Sequence, residues 1–182
     1  MSEEKQETRG LVIVYTGHGK GKTTAALGMC IRAAGYKKKI KIIQFIKGTW
    51  KYGEMDGIKL LEPYVEMEQR GRGFVGIVDD KEDISTHIRA AGEALEYSRE
   101  AMNSGKYDHL ILDEINVAIN LKLIKVEDVV QMIKEKPEKL HLILTGRDAP
   151  QEIIDIADLV TEMREIKHPF RKGILAQQGV DY

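Results

Sequence analysis

Five short apolar runs set the outline of this chain: residues 11–16 (LVIVYT), 40–46 (IKIIQFI), 109–114 (HLILDE), 140–146 (LHLILTG) and 158–163 (DLVTEM). Most are nearly continuous rather than alternating. Strands of that kind are covered on both faces, as in a parallel sheet. A sixth run, residues 65–69 (VEMEQ), alternates and suits a strand nearer an edge. Helical spacing fills the gaps. Ile84, Ile88, Ala91, Leu95, Ser98 and Met102 step by three and four along one face, with Asp79 or Asp80 expected to cap the start and Gly105 the end. Val126, Val129, Val130 and Ile133 form a second stripe. Asp148 and Gln151 have capping-box spacing, with Pro150 expected inside the first helical turn. The class is therefore α/β, with a mostly parallel central sheet of about six strands flanked by helices. No linker or repeat divides it. A single domain is expected over 10–182, after a short polar extension over 1–9.

Composition bounds the function. The 182 residues are 42% hydrophobic and 31% charged, with a formal net charge of −1, so no overall field favours nucleic acid or an acidic membrane. The one cysteine, Cys30, excludes an internal disulfide and reads as a small core residue. The polar N-terminus has no apolar leader segment, and no run reaches the roughly 18 apolar residues of a membrane span. A cytoplasmic protein is expected.

The chemistry starts at residues 14–28, VYTGHGKGKTTAALG. A strand, a glycine loop and a helix candidate (residues 22–35) follow one another. Glycines let successive backbone N–H groups turn inward, and the helix start adds partial positive charge. Lys22 supplies a point charge for phosphates and Thr23 a hydroxyl for a magnesium ion. The usual spacing, G-x-x-x-x-G-K-[ST], fails by one residue, because Thr16 stands five places before Gly21. The loop instead reads Gly17-x-Gly19-x-Gly21-Lys22-Thr23, a shorter bend with an additional lysine, Lys20, and with His18 and Thr24 also within reach. Asp113 and Glu114 end the third main run, where strand termini face the ligand crevice, and suit Mg2+ directly or through water. They also suit a helix N-cap. Arg147, just past another run, is placed to meet a phosphate. A nucleoside triphosphate with Mg2+ (or Mn2+) is expected, and hydrolysis or phosphoryl transfer remains open at this point.

Further motifs occur in a fixed order: IQFIKG (43–48), LLEP (60–63), GRGF (71–74), LDE (112–114), LTGR (144–147), ADLVTEMREIKHPF (157–170) and AQQGVDY (176–182). With the glycine loop, they make the chain resemble the ATP:cob(I)alamin (corrinoid) adenosyltransferases of the P-loop branch, over nearly everything after residue 9. The resemblance implies a RecA-like P-loop fold and transfer of the 5′-deoxyadenosyl group of ATP to a corrinoid Co(I), with triphosphate leaving. It also implies a nucleotide lying in reverse along the loop, which accounts for the altered bend. A P-loop kinase or ATPase, or a non-catalytic ATP- or corrinoid-binding relative, are the alternatives.

On that reading Lys20 and Lys22 are the catalytic cations. Gly17, His18, Gly19, Lys20, Gly21, Lys22, Thr23, Thr24 and Arg147 bind ATP. Thr23 and Glu114 hold the metal, with Asp113 orienting or substituting. Phe74, Gly76, His168 and Phe170 face the corrinoid. Gly76 stands where relatives carry tryptophan, so half of an aromatic pair is absent, while the only tryptophan, Trp50, falls elsewhere. His18 replaces a common asparagine, and an N-terminal arm is expected to be short or absent. The basic stretch holding Arg164, Lys167, His168, Arg171 and Lys172 suits either the corrin periphery and phosphates or a solvated turn. A homodimer and a flavodoxin-type electron donor are implied, without nucleic acid or membrane.

Overall fold

The computed structural model describes residues 9–48, 52–73 and 82–181. All six expected strands form: β1 (Val12–Thr16), β2 (Ile40–Gln44), β3 (Val65–Gln69), β4 (His109–Asp113), β5 (His141–Thr145) and β6 (Leu159–Glu162). They pair in the order β3-β2-β4-β5-β1-β6, every pair parallel. The central four are buried on both faces, as continuous apolar runs require. At one edge β3 keeps its alternation. At the other, β6 is exposed along its length although its run reads as apolar, because it pairs with β1 only.

Successive residues of the central strands feed two separate cores. Val12, Val14, Leu110, Leu112, Leu142 and Leu144 face one layer, and Ile13, Ile111 and Ile143 face the other. The second layer is roofed by α1 (Lys22–Gly35), whose small residues Ala26, Cys30 and Ala33 let the helix approach the sheet, and by α2 (Gly53–Lys59) through Ile58. Burial pushes the Cys30 thiol up to about 12, so it packs as an inert residue. The first layer takes α3 (Ile84–Asn103), α4 (Ile115–Asn120) and α5 (Val126–Lys134). Short α6 (Gln151–Ile154) buries Ile153 there.

Two helix starts differ from expectation. Asp83 caps α3, accepting from the Ser85 amide at 3.2 Å; Asp79 and Asp80 lie outside the described residues and too far upstream to cap a helix opening at Ile84. The far end behaves as expected, with Gly105 left-handed at φ 68° just past Ser104. At α6 the capping box does not form. Asp148 is itself left-handed (φ 52°) and its carboxylate meets His18, so the extended Pro150 becomes the N-cap instead of entering the first turn. Among the described residues no helix is long and apolar enough to cross a membrane.

Right-handed crossovers put helices on opposite faces when the chain moves across the sheet in opposite directions. The chain leaves β1 toward β2 under one face and leaves β4 and β5 toward β6 under the other. The loops at these strand ends therefore splay apart, and a crevice opens at the C-terminal edge of the sheet.

Candidate active site

The glycine loop runs from the end of β1 into α1. Gly17 and Gly21 take φ values of 92° and 112°, in the region that favours glycine. A Cβ on Gly17 would stand 2.5 Å from the Met163 carbonyl oxygen, and one on Gly19 2.7 Å from the same atom. The loop is thus pressed against the chain leaving β6, and the Gly19 amide donates to Met163 O at 2.6 Å. No side chain caps α1, and no acidic residue lies in its first turn. Its leading N–H groups have no partner within the helix, which is the arrangement that attracts an anion.

The three basic side chains of the loop are already engaged. Lys22 Nζ donates to the carbonyls of Gly17 and Gly19 at 2.7 and 2.6 Å. Burial, then the charge of Arg147, lowers its pKa. Lys20 pairs with Asp181 near the C-terminus. His18 Nε2 lies 3.0 Å from Asp148 Oδ1.

Across the crevice, Asp113 ends β4 with no exposure. Its Oδ1 accepts from Thr23 Oγ1 at 2.9 Å and from Thr145 Oγ1 at 2.7 Å; its Oδ2 accepts from Gln44 Nε2 at 3.0 Å. Three donors hold this carboxylate, two on Oδ1 and one on Oδ2. The Thr23 hydroxyl spends its proton on Asp113, which leaves its oxygen lone pairs for another partner. Thr145 Oγ1 also accepts the Glu114 amide at 2.9 Å, so one hydroxyl ties β5 to both acids.

Glu114 is different. It is left-handed (φ 63°), a conformation that costs a non-glycine residue energy and that clusters at functional sites. Its Oε2 is buried without a hydrogen bond among the described residues. Burial, reinforced by the charge of Asp113, raises its pKa to about 7, against the pull of Lys47, Lys22 and Arg147. Three cations thus surround one carboxylate that has an unused oxygen.

These groups line a cavity of about 750 Å3. His18 through Thr24 form one wall, Glu114 and Arg147 another, and His168 with Asp181 close the C-terminal side. Gly17 lies behind the loop and contributes its carbonyl to Lys22. Phe170 is not among the lining residues: it is 67% exposed on a 3-10 turn (Pro169–Lys172). Phe74, Gly76 and Trp50 lie outside the described residues. Sequence reasoning passed over Lys47, Tyr52 and Glu54, which line the same cavity. The usable signal was the position of Lys47 just past a strand terminus, the edge where such sheets bind ligands.

A parallel sheet carrying a glycine loop into a helix, beside a strand-end carboxylate bonded to the loop threonine, defines a nucleotide-binding P-loop protein of RecA-like fold. The solved structures it is similar to share that fold: the flagellar accessory protein FlaH from Methanocaldococcus jannaschii (TM-score 0.57, 16% identity, 85% of this chain and 71% of that one) and the KaiC-like protein PH0186 from Pyrococcus horikoshii (TM-score 0.50, 17% identity, 87% and 75%). Sequence carries the assignment further. The family described as ATP:corrinoid adenosyltransferase BtuR/CobO/CobP matches residues 8–182. Corrinoid adenosyltransferases from Sinorhizobium and from Escherichia coli K12 are 41% and 39% identical over 98% of this chain, covering 83% and 89% of their own lengths. The corrinoid adenosyltransferase CobA of Salmonella typhimurium is 37% identical over 98% of this chain and 89% of its own. The chain belongs to the ATP:corrinoid adenosyltransferase family, and it is an enzyme that transfers the adenosyl group of ATP to a corrinoid.

Proposed function

We propose that the corrinoid reacts as Co(I), attacking the ribose C5′ of ATP. The cobalt electron pair forms the Co–C bond, the C5′–O bond breaks, and its electron pair leaves on the triphosphate. Co(I) carries no proton, so no general base is required. The residues in the cavity suit that need: they include four cations and the glycine-loop amides, and among the described residues the lining holds no serine–histidine or cysteine–histidine pair. The protein's task is to hold C5′ in line and to meet charge building on the leaving group.

The glycine-loop amides, Lys20, Lys22 and Arg147 receive the triphosphate, with His18 and Thr24 at its margin. Exchange is direct for Lys22, whose present partners are neutral carbonyls that phosphate oxygens outcompete. Mg2+ fits the donor set, with Mn2+ as the alternative. Among the described residues no three His, Cys, Asp or Glu cluster as a self-contained metal centre. A Thr23 oxygen with free lone pairs and one unpartnered Glu114 oxygen suit an ion that takes its other ligands from phosphate and water. When bound, the ion neutralises charge on the phosphates. Asp113, held by three donors and not itself on the cavity lining, orients Thr23 instead of binding the ion itself.

His168 is the corrinoid contact best supported by its place on the cavity wall; Phe74, Gly76 and Phe170 extend the same role by resemblance. A homodimer, a reduced flavin donor of the flavodoxin type and a cytoplasmic setting complete the reading.

The observation that carries it is Asp113, bonded to the loop threonine, beside an unpartnered Glu114 oxygen. The test is anaerobic: ATP and a chemically reduced Co(I) corrinoid, following loss of the Co(I) absorption band, with phosphate products resolved. Triphosphate is expected; ADP and phosphate would refute the chemistry. Lys22→Ala is expected to lower the rate by about 10²–10³, the scale of one preorganised contact, with the fold retained by circular dichroism.

A further inference from the structure

Each lysine facing the cavity has an internal partner standing where a ligand anion would stand. Lys20 meets the Asp181 carboxylate, Lys22 the carbonyls of Gly17 and Gly19, and Lys47 the carboxylate of Glu54. The first two belong to the glycine loop. Lys47 does not: it lies three residues past β2, lines the same cavity and, like Lys22, is near enough to Glu114 to act on its charge.

This lysine is built in. Its side chain is 11% exposed and that of Glu54 15%, while Nζ sits 4.7 Å from the centre of the Tyr52 ring. Among the described residues Glu54 is its one hydrogen-bond acceptor. Enclosing an ammonium costs much of its hydration, and an enclosed ion pair stabilises a fold no better than an apolar pair of the same size. A pair of this kind at a cavity wall is explained when a ligand uses one member. The charges agree. Lys20, Lys22, Lys47 and Arg147 line the cavity against Glu54, Glu114 and Asp181, and a divalent ion on Glu114 would leave a clear excess of positive charge. Only a ligand with several negative charges balances that.

We propose that Lys47 is a further contact to the polyphosphate of the nucleotide, and that the Glu54 carboxylate occupies the place of a phosphate oxygen on its ammonium until phosphate displaces it. The proposal rests on the adenosyl-transfer reading and deepens it. The leaving triphosphate is met by cations from two parts of the chain, the glycine loop and the segment after β2.

Calorimetric titration of inorganic triphosphate with Mg2+ tests it on the full chain, with adenosine as the uncharged control. Lys47→Met is expected to weaken triphosphate binding about 10–100-fold, the weight of one charge-assisted hydrogen bond, and to leave adenosine binding unchanged. Lys47→Arg should lose less, and Glu54→Gln should bind triphosphate at least as tightly as wild type. If Lys47→Met and wild type bind triphosphate equally, and only the melting temperature or the KM for corrinoid moves, the proposal is overturned and the nucleotide reading stands. Should Lys47→Met not fold, weaker binding by Glu54→Gln overturns it alone. Failure of the wild type to bind triphosphate would overturn both.

Discussion

Gly19 and Gly28 sit nine residues apart and do opposite work. At Gly19 a methyl group would stand 2.7 Å from Met163 O and 2.8 Å from the Arg164 carbonyl carbon. Both are backbone atoms and cannot yield by changing rotamer. Gly19→Ala should therefore push the loop off the end of β6, strain the Gly19–Met163 hydrogen bond and destabilise by about 1–3 kcal/mol, in the range of an overpacked site. Gly28 faces solvent within α1 with nothing within 4 Å, so Gly28→Ala should stabilise by about 0.5–1 kcal/mol. Denaturant midpoints measure both, and nucleotide affinity should fall in the first variant only. The phosphate loop was legible because glycine spacing beside Lys-Thr is a local signal. The hydrogen bonding of Asp113 was not, since Thr23, Thr145 and Gln44 converge on it from three other elements. Lys47 was hidden for the same reason: alone, a lysine before a glycine reads as solvated, and its burial is decided by Tyr52 and Glu54 after the chain has turned back.

At the scale of elements, continuous apolar runs marked the buried strands well, and alternation marked the edge strand β3. The order β3-β2-β4-β5-β1-β6 was not legible, because crossovers place strands by long-range packing that no local pattern records. Helix α2 escaped because Gly53 and Gly57 weaken its propensity; it forms where Ile58 can be buried against the sheet. The capping box at Asp148 was misleading, since a left-handed Asp148 turns its carboxylate to His18. Neighbouring strands also create a titration that neither shows alone. His109 and His141 are register partners opening β4 and β5, and their rings stack with centroids 4.6 Å apart. Burial, then the neighbouring His141, lowers the His109 pKa to about 4, with Asp108 opposing and Lys38 adding to the shift; burial, then Lys136, lowers His141 as well. The unfolded chain, with histidine near 6.5, binds more protons than the fold between those values. Stability is thus complete above about pH 6.5 and falls as pH drops toward 4. His109→Phe keeps a ring in the stack, and the buried Nδ1 it replaces has no partner among the described residues. Melting temperatures from pH 7 to pH 4.5 should show a shallower decline in that variant than in wild type; parallel curves would remove the stack as the cause.

Over the whole molecule, all six strands deliver their C-terminal ends to one edge, and the last residues return to that edge to finish the cavity. Lys20 and Asp181 are 161 residues apart, yet their side chains meet, and Asp181 is held in turn by the Gln177 amide at 2.9 Å. The closing residues Gly179, Val180 and Asp181 form part of the wall around the phosphate loop. This contact has two possible weights. If Asp181 organises Lys20 for the nucleotide, its loss weakens binding; if it occupies the place of a phosphate oxygen, its loss strengthens it. The geometry favours the second. Lys20 is 48% exposed, so it needs no partner to offset burial, and a carboxylate on a loop lysine competes directly with a polyanion. Asp181→Asn should therefore tighten inorganic triphosphate binding, by no more than about fivefold because an exposed pair is weak, and raise the dependence of binding on salt. The melting temperature should hardly move. Weaker binding in Asp181→Asn, measured by the same titration, would show instead that the tail builds the phosphate site and does not stand in its way.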